Sequence, residues 1–249
     1  FVRLRLDQKT LDATLILVAP DGKRTTEINL TSAGEQETLA LEAVTGTYDL
    51  TVRGNGNPKM AGFYRLEMTT QPAASETDRQ YLTAQNLLLE AQDLAKQTPQ
   101  SPQVIEKLEQ SLAMWRSLNQ PFWASLTLKE IGRTYVGLNR YDKAIESQEE
   151  AIAICRELKN RIREGVALND LANSYFNQQQ YEKGAEYFRQ GITIFREVKD
   201  RRREGLMIYA LGNTQSRQNQ PANAIASFEL ALPILREVND RAFEGQALL

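Results

Sequence analysis

From Trp115 to Leu249 the chain carries a pattern of apolar and polar residues that recurs every forty residues. Within one period, apolar residues fall at helical spacing in two runs, one through Leu168 and the next through Phe188. Arginines stand at the same place in successive periods, at Arg116, Arg156, Arg196 and Arg236. A repeat of this length, with two amphipathic runs in each copy, predicts a solenoid of stacked helix pairs.

The spacing also predicts where these helices begin and end. The first helices of three successive pairs are expected at about 121–138, 161–178 and 201–218, and the second helices at about 141–158, 181–198 and 221–238. Asn160, Asp200 and Asp240 precede first helices, where a side-chain oxygen accepts from a free N–H group of the first turn. Glycines at 165, 205 and 245 disfavour a helix, so we expect a neighbouring helix to approach closely there.

Residues within these pairs resemble the signature of the tetratricopeptide repeat, in the longer form found in kinesin light chain. They are Leu128, Ile131, Gly132, Tyr135, Tyr141, Ala144 and Ala151 in one copy, and Leu168, Leu171, Ala172, Tyr175, Tyr181 and Phe188 in the next. A further copy keeps Leu211 and Gly212 but has Gln215 and Pro221 where the family pattern expects tyrosines. The resemblance implies an all-α superhelix over 79–249. Its repeats are expected at about 79–118, 121–158, 161–198 and 201–238, followed by a truncated helix at 241–249.

Residues 1–70 follow a different pattern, in which apolar residues occupy every second position. Alternation around Leu4, Leu15, Leu39, Leu50 and Leu66 predicts about six strands. Turn-forming residues separate them, at 20–22, 32–34, 45–46 and 54–56. The chain is therefore expected to be an α+β multidomain protein, with a small antiparallel β-sandwich or jelly roll before the helices.

Several phrases of this first segment are similar to the bacterial pre-peptidase C-terminal domain. They include Leu11-Asp12-Ala13, Pro20-Asp21-Gly22, Gly46-Thr47-Tyr48 and Gly62-Phe63-Tyr64. The resemblance covers 1–70 and implies that a further edge strand precedes Phe1. Residues 71–78 are expected to form a linker, with Thr77 or Asp78 capping the next helix.

The composition excludes several kinds of chemistry within these residues. The chain has no histidine, which excludes a Ser–His–Asp triad, a Cys–His dyad and histidine-ligated metal sites. The single cysteine, Cys155, aligns with Trp115, Phe195 and Leu235 and is expected in the core. A formal net charge of −2 argues against a nucleic-acid partner, and no apolar run reaches the length of a membrane span. We therefore predict no catalytic residue, cofactor or metal in this part of the protein.

A stack of helix pairs exposes its first helices along a concave groove, and side chains one turn apart on that side are available to a partner. Asparagine at the positions of Asn173 and Asn213 belongs to the groove of the resembled family, where its amide bonds the main chain of a peptide. Arg133 takes that position in the first copy and, with Lys129, is suited to a carboxylate. The candidate partner-binding residues are Lys129, Arg133, Val136, Asn169, Asn173, Phe176, Tyr209, Asn213 and Arg217. The alternative is that they are solvated residues or make helix–helix hydrogen bonds.

These observations favour a protein interaction scaffold that holds a peptide or a neighbouring domain in the groove. A clamp for the C-terminal carboxylate of chaperones is disfavoured, because Asp170, Leu206 and Ala210 stand where that clamp has an asparagine and basic residues. The alternative comes from another class. A sandwich followed by forty-residue repeats resembles the front part of bacterial, often cyanobacterial, proteins that end in a caspase-like CHAT peptidase domain. In that case the fragment would be a regulatory arm, with the catalytic domain beyond Leu249.

Two further expectations concern the surroundings of the protein. The resembled CHAT-domain proteins often carry an export signal, which favours an exported or periplasmic location slightly over the cytoplasm. The last helix begins at Arg241, and its apolar residues Phe243, Ala247 and Leu248 would normally be covered by a further helix. An uncovered apolar end predicts self-association through this face. No aromatic row points to carbohydrate binding by the sandwich, because Tyr48 and Tyr64 follow the alternation of core residues.

Overall fold

A computed structural model describes residues 1–8, 13–22, 25–28, 36–44, 47–54, 64–71 and 73–247. Within these ranges the chain forms six strands followed by nine helices. The strands make small antiparallel sheets and the helices form a repeat region of the tetratricopeptide type, so the predicted α+β class is confirmed. The chain divides into two compact units, Phe1–Asn86 and Leu87–Leu249.

The six strands belong to two sheets of three strands each. Their bounds are β1 Val2–Gln8, β2 Ala13–Val18, β3 Thr25–Ile28, β4 Gln36–Leu41, β5 Asp49–Gly54 and β6 Tyr64–Thr70. One sheet has the order β4-β1-β6 and the other has the order β3-β2-β5. Every neighbouring pair of these strands runs antiparallel.

Alternation of side chains gives the first unit its core. Leu4 and Leu6 of β1 and Leu15 and Leu17 of β2 are buried, because successive side chains of a strand point to opposite faces of the sheet. The predicted turn after β2 is present. The Gly22 N–H donates to the Ala19 carbonyl at 2.9 Å, and the φ of Gly22 is +65°, a conformation that glycine adopts without a steric cost. The predicted turns at 32–34 and 45–46 lie outside the described residues, as do residues 55–56 of the turn predicted at 54–56.

Of the nine described helices, seven have 16 or 17 residues, whereas the first has 22 and the last has 7. Their bounds are α1 Glu76–Gln97, α2 Pro102–Ser117, α3 Pro121–Gly137, α4 Tyr141–Glu157, α5 Arg161–Asn177, α6 Tyr181–Glu197, α7 Arg201–Arg217, α8 Pro221–Glu237 and α9 Arg241–Ala247. The six helices from α3 to α8 begin at the predicted residues and end one residue earlier. Consecutive helices from α2 to α9 pack against one another.

Each turn between helices from α2 onward contains one residue in the left-handed conformation. These residues are Asn119, Asn139, Lys159, Gln179, Lys199, Asn219 and Asn239, with φ between 50° and 62°. They follow one another at twenty residues, and none is a glycine. In each turn the next N–H closes back onto the helix, as when Asp200 N–H donates to the Phe195 carbonyl at 2.8 Å. This bond satisfies a carbonyl that the end of the helix would otherwise leave unpaired.

Two of the predicted helix caps are confirmed. Asn160 Oδ1 accepts from the Arg163 N–H at 3.1 Å, and Asp200 Oδ1 accepts from the Arg203 N–H at 3.0 Å. The predicted cap of α1 is wrong, because the cap is Ser75 rather than Thr77 or Asp78.

At the start of α1 two side chains bond each other's backbone. The Asp78 N–H donates to Ser75 Oγ at 3.1 Å, and the Ser75 N–H donates to Asp78 Oδ2 at 3.0 Å. This reciprocal pairing is a capping box, and it places the helix start three residues before the predicted one, at Glu76.

The first half of α1 belongs to the same compact unit as the strands. Gln85 lies in this half and is buried. Its amide donates to the Ala40 carbonyl and accepts from the Ala40 N–H, both at 3.1 Å. A neighbouring strand would bond this edge residue of β4 in the same way. Arg3 of β1 adds a contact to the helix through Asp78 at 3.3 Å.

The glycines of the first helices explain how closely the helices pack. A Cβ at Gly165 would lie 2.9 Å from the ring of Phe195, and one at Gly205 would lie 2.9 Å from Ile234. The predicted close approach is thus confirmed at these two positions. At Gly245 nothing lies within 4 Å; the residues that contact Gly165 and Gly205 come about thirty positions later in the chain, so the prediction at Gly245 is not tested within these 249 residues.

The copy that lacks the expected tyrosines keeps its helices by other contacts. In the preceding copy, the rings of Tyr175 and Tyr187 stack with their centroids 5.4 Å apart. Forty residues later the same two positions are Gln215 and Ser227, and the Ser227 hydroxyl donates to Gln215 Oε1 at 2.7 Å. A buried hydrogen bond therefore replaces a ring stack. Pro221 begins α8, where its missing N–H has no cost.

Candidate functional site

The nine candidate residues lie on three first helices. Lys129, Arg133 and Val136 belong to α3, Asn169, Asn173 and Phe176 belong to α5, and Tyr209, Asn213 and Arg217 belong to α7. All nine are at least partly exposed. We call this set the first-helix face. Helix α3 contacts α5 directly, and α6 packs against both α5 and α7, so the three helices follow one another in the stack.

Buried neighbours fix the orientation of these helices. Leu128, Leu168 and Ile208, which precede the first candidate residue of each helix, are all buried in the core. Leu171 and Leu211, two residues before Asn173 and Asn213, are buried as well. Because the apolar side of each helix is committed to the core, the candidate side chains are left on the opposite side.

The cations of α3 have acidic neighbours. Lys129 Nζ lies 3.3 Å from Glu130 Oε1, and Arg133 Nη1 lies 4.0 Å from the same oxygen. The side chain of Lys129 is 23% exposed, whereas that of Arg133 is 64% exposed. Lys129 is therefore largely engaged within the chain, and Arg133 is the more exposed of the two cations of α3.

A second carboxyl group, that of Asp170 in α5, faces the same cations. Burial raises the pKa of Asp170 above its ordinary value, while the charges of Lys129 and Arg133 act against that rise. Glu130 adds to the rise, and a bond from the Asn169 amide at 3.5 Å opposes it. Glu130 and Asp170 thus lie beside the candidate residues Lys129 and Arg133. The sequence did not indicate either as a partner-binding residue. Glu130 directly follows Lys129 and Asp170 directly follows Asn169, and Ala210 occupies the same position of the next repeat.

The amide of Asn173 is partly used by its own helix. Asn173 Nδ2 donates to the Asn169 carbonyl at 2.8 Å, a bond between residues one turn apart. The side chain of Asn173 is nevertheless exposed, and that of Asn213 is half-buried. An amide held in this way has a defined orientation, and it carries a second N–H and an oxygen that suit a peptide main chain.

The aromatic residues of the face are held by neighbouring rings. The Phe176 ring meets that of Tyr181 edge-on, with centroids 5.4 Å apart. Tyr209 contacts Phe228 at 5.6 Å and Phe243 at 5.5 Å. Because Phe176 and Tyr209 are only half-buried, each presents part of a fixed apolar surface to the exterior.

Other kinds of site receive no support from the described residues. Among them, no three His, Cys, Asp or Glu side chains are grouped as a metal ion would require. Cys155 is buried, as predicted for a core residue. In the described part of the chain, no helix is both long enough and apolar enough to cross a membrane.

Comparisons with known proteins agree with the repeats seen in the structure. Two family models, both described as tetratricopeptide repeat, match residues 163–237 and 130–158. No curated protein sequence matches the chain significantly.

Solved structures are similar in fold at low sequence identity. The apo form of RapI matches 71% of this chain and 62% of its own, with a TM-score of 0.62 and 12% identity. The Rap conjugation gene regulator of plasmid pLS20, in complex with the Phr* peptide, matches 71% and 47%, with a TM-score of 0.56 and 15% identity. A putative kinesin light chain from Podospora anserina matches 60% and 75%, with a TM-score of 0.52 and 19% identity.

The chain thus spans less than two thirds of the two Rap structures. At these identities the comparisons show the fold alone. The repeat region has the tetratricopeptide fold shared by Rap proteins and kinesin light chain.

Proposed function

We propose that this chain is a non-catalytic interaction scaffold that binds an extended peptide, or a segment of a neighbouring domain, along the first-helix face. One observation carries the proposal. Polar side chains at equivalent positions forty residues apart, at Arg133, Asn173 and Asn213, remain at least partly exposed on successive helices whose other sides are buried. A row of donors and acceptors repeated in this way suits a ligand with a regular main chain.

The chemistry of the face suggests how such a ligand is held. Asn173 and Asn213 offer amides to peptide N–H and carbonyl groups, and the half-buried rings of Phe176 and Tyr209 offer apolar anchors between them. Arg133 offers a charged contact at one end and Arg217 offers another in α7. The fold shared with the pLS20 regulator, which was solved with the Phr* peptide, supports a peptide as the ligand.

The experiment uses peptides selected against the chain from a random display library. A double variant, Asn173→Ala with Asn213→Ala, is expected to keep its fold and to lose at least about tenfold in affinity for a selected peptide. The matched control removes two amides from second helices, Gln190→Ala with Asn223→Ala, and should bind as the natural chain does. Equal affinity of the two double variants, with unchanged thermal unfolding, would contradict the proposal.

The sequence resemblance to CHAT proteins supports a second hypothesis, in which this scaffold is the regulatory arm of a caspase-like peptidase. It remains a prediction from the order of a sandwich and forty-residue repeats. The two hypotheses share the same binding face, since a regulatory arm would use it for a trigger peptide or for its own peptidase domain.

A further inference from the structure

Among the described strands, β6 lies at an edge of its sheet, and its side chains Leu66 and Met68 are exposed. Among the described strands it pairs only with β1, in the order β4-β1-β6. The register places Leu66 beside Leu6 and Met68 beside Leu4, so these four side chains share one face of the sheet. Leu4 and Leu6 are buried, whereas Leu66 is 39% and Met68 is 65% exposed. The face of the sheet that is buried at β1 is therefore exposed to solvent at β6.

The backbone of β6 is also directed toward a further strand. Gln71 and Phe1 exchange both of their hydrogen bonds, each at 2.9 Å. In an antiparallel pair such bonded positions alternate, so Arg65, Glu67 and Thr69 direct their N–H and carbonyl groups toward β1. The intervening residues Leu66 and Met68 direct theirs away from β1, to the open edge. A strand is the partner that such a row of groups accepts.

The two edges of this sheet differ. At the β4 edge, the buried amide of Gln85 bonds both backbone groups of Ala40. At the β6 edge, every side chain from Arg65 to Thr70 is exposed. The β6 edge is therefore the one at which the sheet can be extended.

The side chains of β6 are complementary to a second copy of the same strand. If two β6 strands run antiparallel about a two-fold axis at Leu66, then Leu66 pairs with its own copy and the backbone of position 64 pairs with that of Met68. The same register sets Arg65 of each chain opposite Glu67 of the other. The register centred on Glu67 would oppose two glutamates, and the register centred on Arg65 would oppose two arginines. Only the Leu66-centred register pairs opposite charges directly across the strands, and opposite pairs are favourable.

We propose that two copies of this chain associate through β6, in the Leu66-centred register, to form one continuous six-stranded sheet. The paired positions Tyr64, Leu66 and Met68 are those whose backbone groups face the open edge, so the register also satisfies the backbone. Strands of seven residues bury a small area, so the dimer is expected to be weak and to form in the micromolar range. The proposal does not depend on the first-helix face.

The test is sedimentation of the whole chain over a series of concentrations. The natural chain is expected to shift from monomer to dimer as its concentration rises. Arg65→Glu and Glu67→Arg each create two like-charge pairs in the dimer, so each alone should raise the dissociation constant about tenfold. An equimolar mixture of these two variants restores opposite charges across the strands and should dimerise as the natural chain does.

Met68→Pro provides a second, independent variant. It removes an N–H group that points to the open edge and leaves the bonds to β1 in place, so it should abolish the dimer. Arg189→Glu in α6 and Glu229→Arg in α8 change the net charge equally and serve as matched controls, with folding checked by circular dichroism. A natural chain that stays monomeric would overturn the proposal. A dimer that persists in both charge variants would also overturn it, and contact through the C-terminal helix would give that result. A mixture of the two charge variants that fails to associate would overturn it as well.

Discussion

Arg196 Nε donates a hydrogen bond to Glu204 Oε1 at 3.0 Å, across the turn that joins α6 to α7. Arg201 binds the other oxygen of the same carboxylate, and the side chain of Glu204 is only 2% exposed. The arrangement recurs forty residues earlier, where Arg156 and Arg161 bind Glu164. The arginine that marks the sequence repeat thus joins each helix pair to the next one.

Replacing the buried carboxylate should weaken this junction. Glu204→Gln removes the charge that both arginines bind, and we expect a loss of about 2 kcal/mol in the free energy of unfolding. The loss stays moderate because both arginine side chains are exposed enough to be solvated again. Glu237→Gln is the control, since Glu237 pairs with Arg201 but is 56% exposed, and its expected cost is below about 0.5 kcal/mol. Urea unfolding of the two variants measures both values, and equal costs would contradict this explanation.

The close packing of helices can be tested at a glycine. A Cβ at Gly212 would lie 2.6 Å from the ring of Phe228, whereas nothing lies within 4 Å of one at Gly137. Gly212→Ala should therefore destabilise the repeat region by about 1–3 kcal/mol. Gly137→Ala should be neutral or slightly stabilising, because alanine favours a helix more than glycine does. Thermal unfolding of both variants, followed by circular dichroism, distinguishes steric crowding from helix propensity.

The half-buried carboxyl of Asp170 predicts a dependence of stability on pH. Because its folded pKa is raised, the folded chain holds this proton to a higher pH than the unfolded chain does. Ionisation of Asp170 therefore costs stability as the pH rises through the folded pKa. Asp170→Asn should be more stable than the natural chain at neutral pH, and the difference should shrink as the pH falls toward 4. A difference that stays constant over this range would show that the charge of Asp170 is not its cause.

The capping box of α1 predicts the opposite dependence. The hydrogen bond from Ser75 is the main cause that lowers the pKa of Asp78 below its ordinary value of 3.8. The stability that the ionised Asp78 contributes is present above pH 3.8. It is lost as the pH falls through the lowered pKa of Asp78 in the folded chain. Ser75→Ala should cost about 1 kcal/mol at neutral pH and should make the first turn of α1 less sensitive to acid. Hydrogen exchange of the first-turn amides, measured over a pH series, tests both expectations.

Much of the fold was predictable because its physical signals are local. The two runs of apolar residues in each period set the bounds of the helices, and Asn160 and Asp200 mark helix starts through their own side chains. The left-handed residues Lys159, Gln179 and Lys199 gave no such signal, since these residue types occur commonly within helices. The cap at Ser75 was missed because Thr77 and Asp78 offer the same chemistry nearby, and only the path of the chain selects among them.

The candidate site was predictable in its positions and less so in its contacts. Equivalence at forty residues was enough to place Arg133, Asn173 and Asn213 on the exposed side of successive helices. The nearness of Asp170 to Lys129 and Arg133 depends on how α3 packs against α5, which no local pattern specifies. The sequence also did not predict that a hydrogen bond replaces the stack of Tyr175 and Tyr187 in the next repeat. Such a prediction requires knowing which side chains are in contact.

The most direct measurement for the proposed function is photo-crosslinking of a selected peptide to the intact chain. A benzophenone residue at each position of a library-selected peptide would be activated in the complex, and the modified residues would be identified by mass spectrometry. If the peptide lies along the first-helix face, crosslinks are expected on α3, α5 and α7, near Arg133, Asn173 and Asn213, in an order that follows the peptide sequence. Crosslinks confined to the second helices α4, α6 and α8, or to the strands, would contradict it.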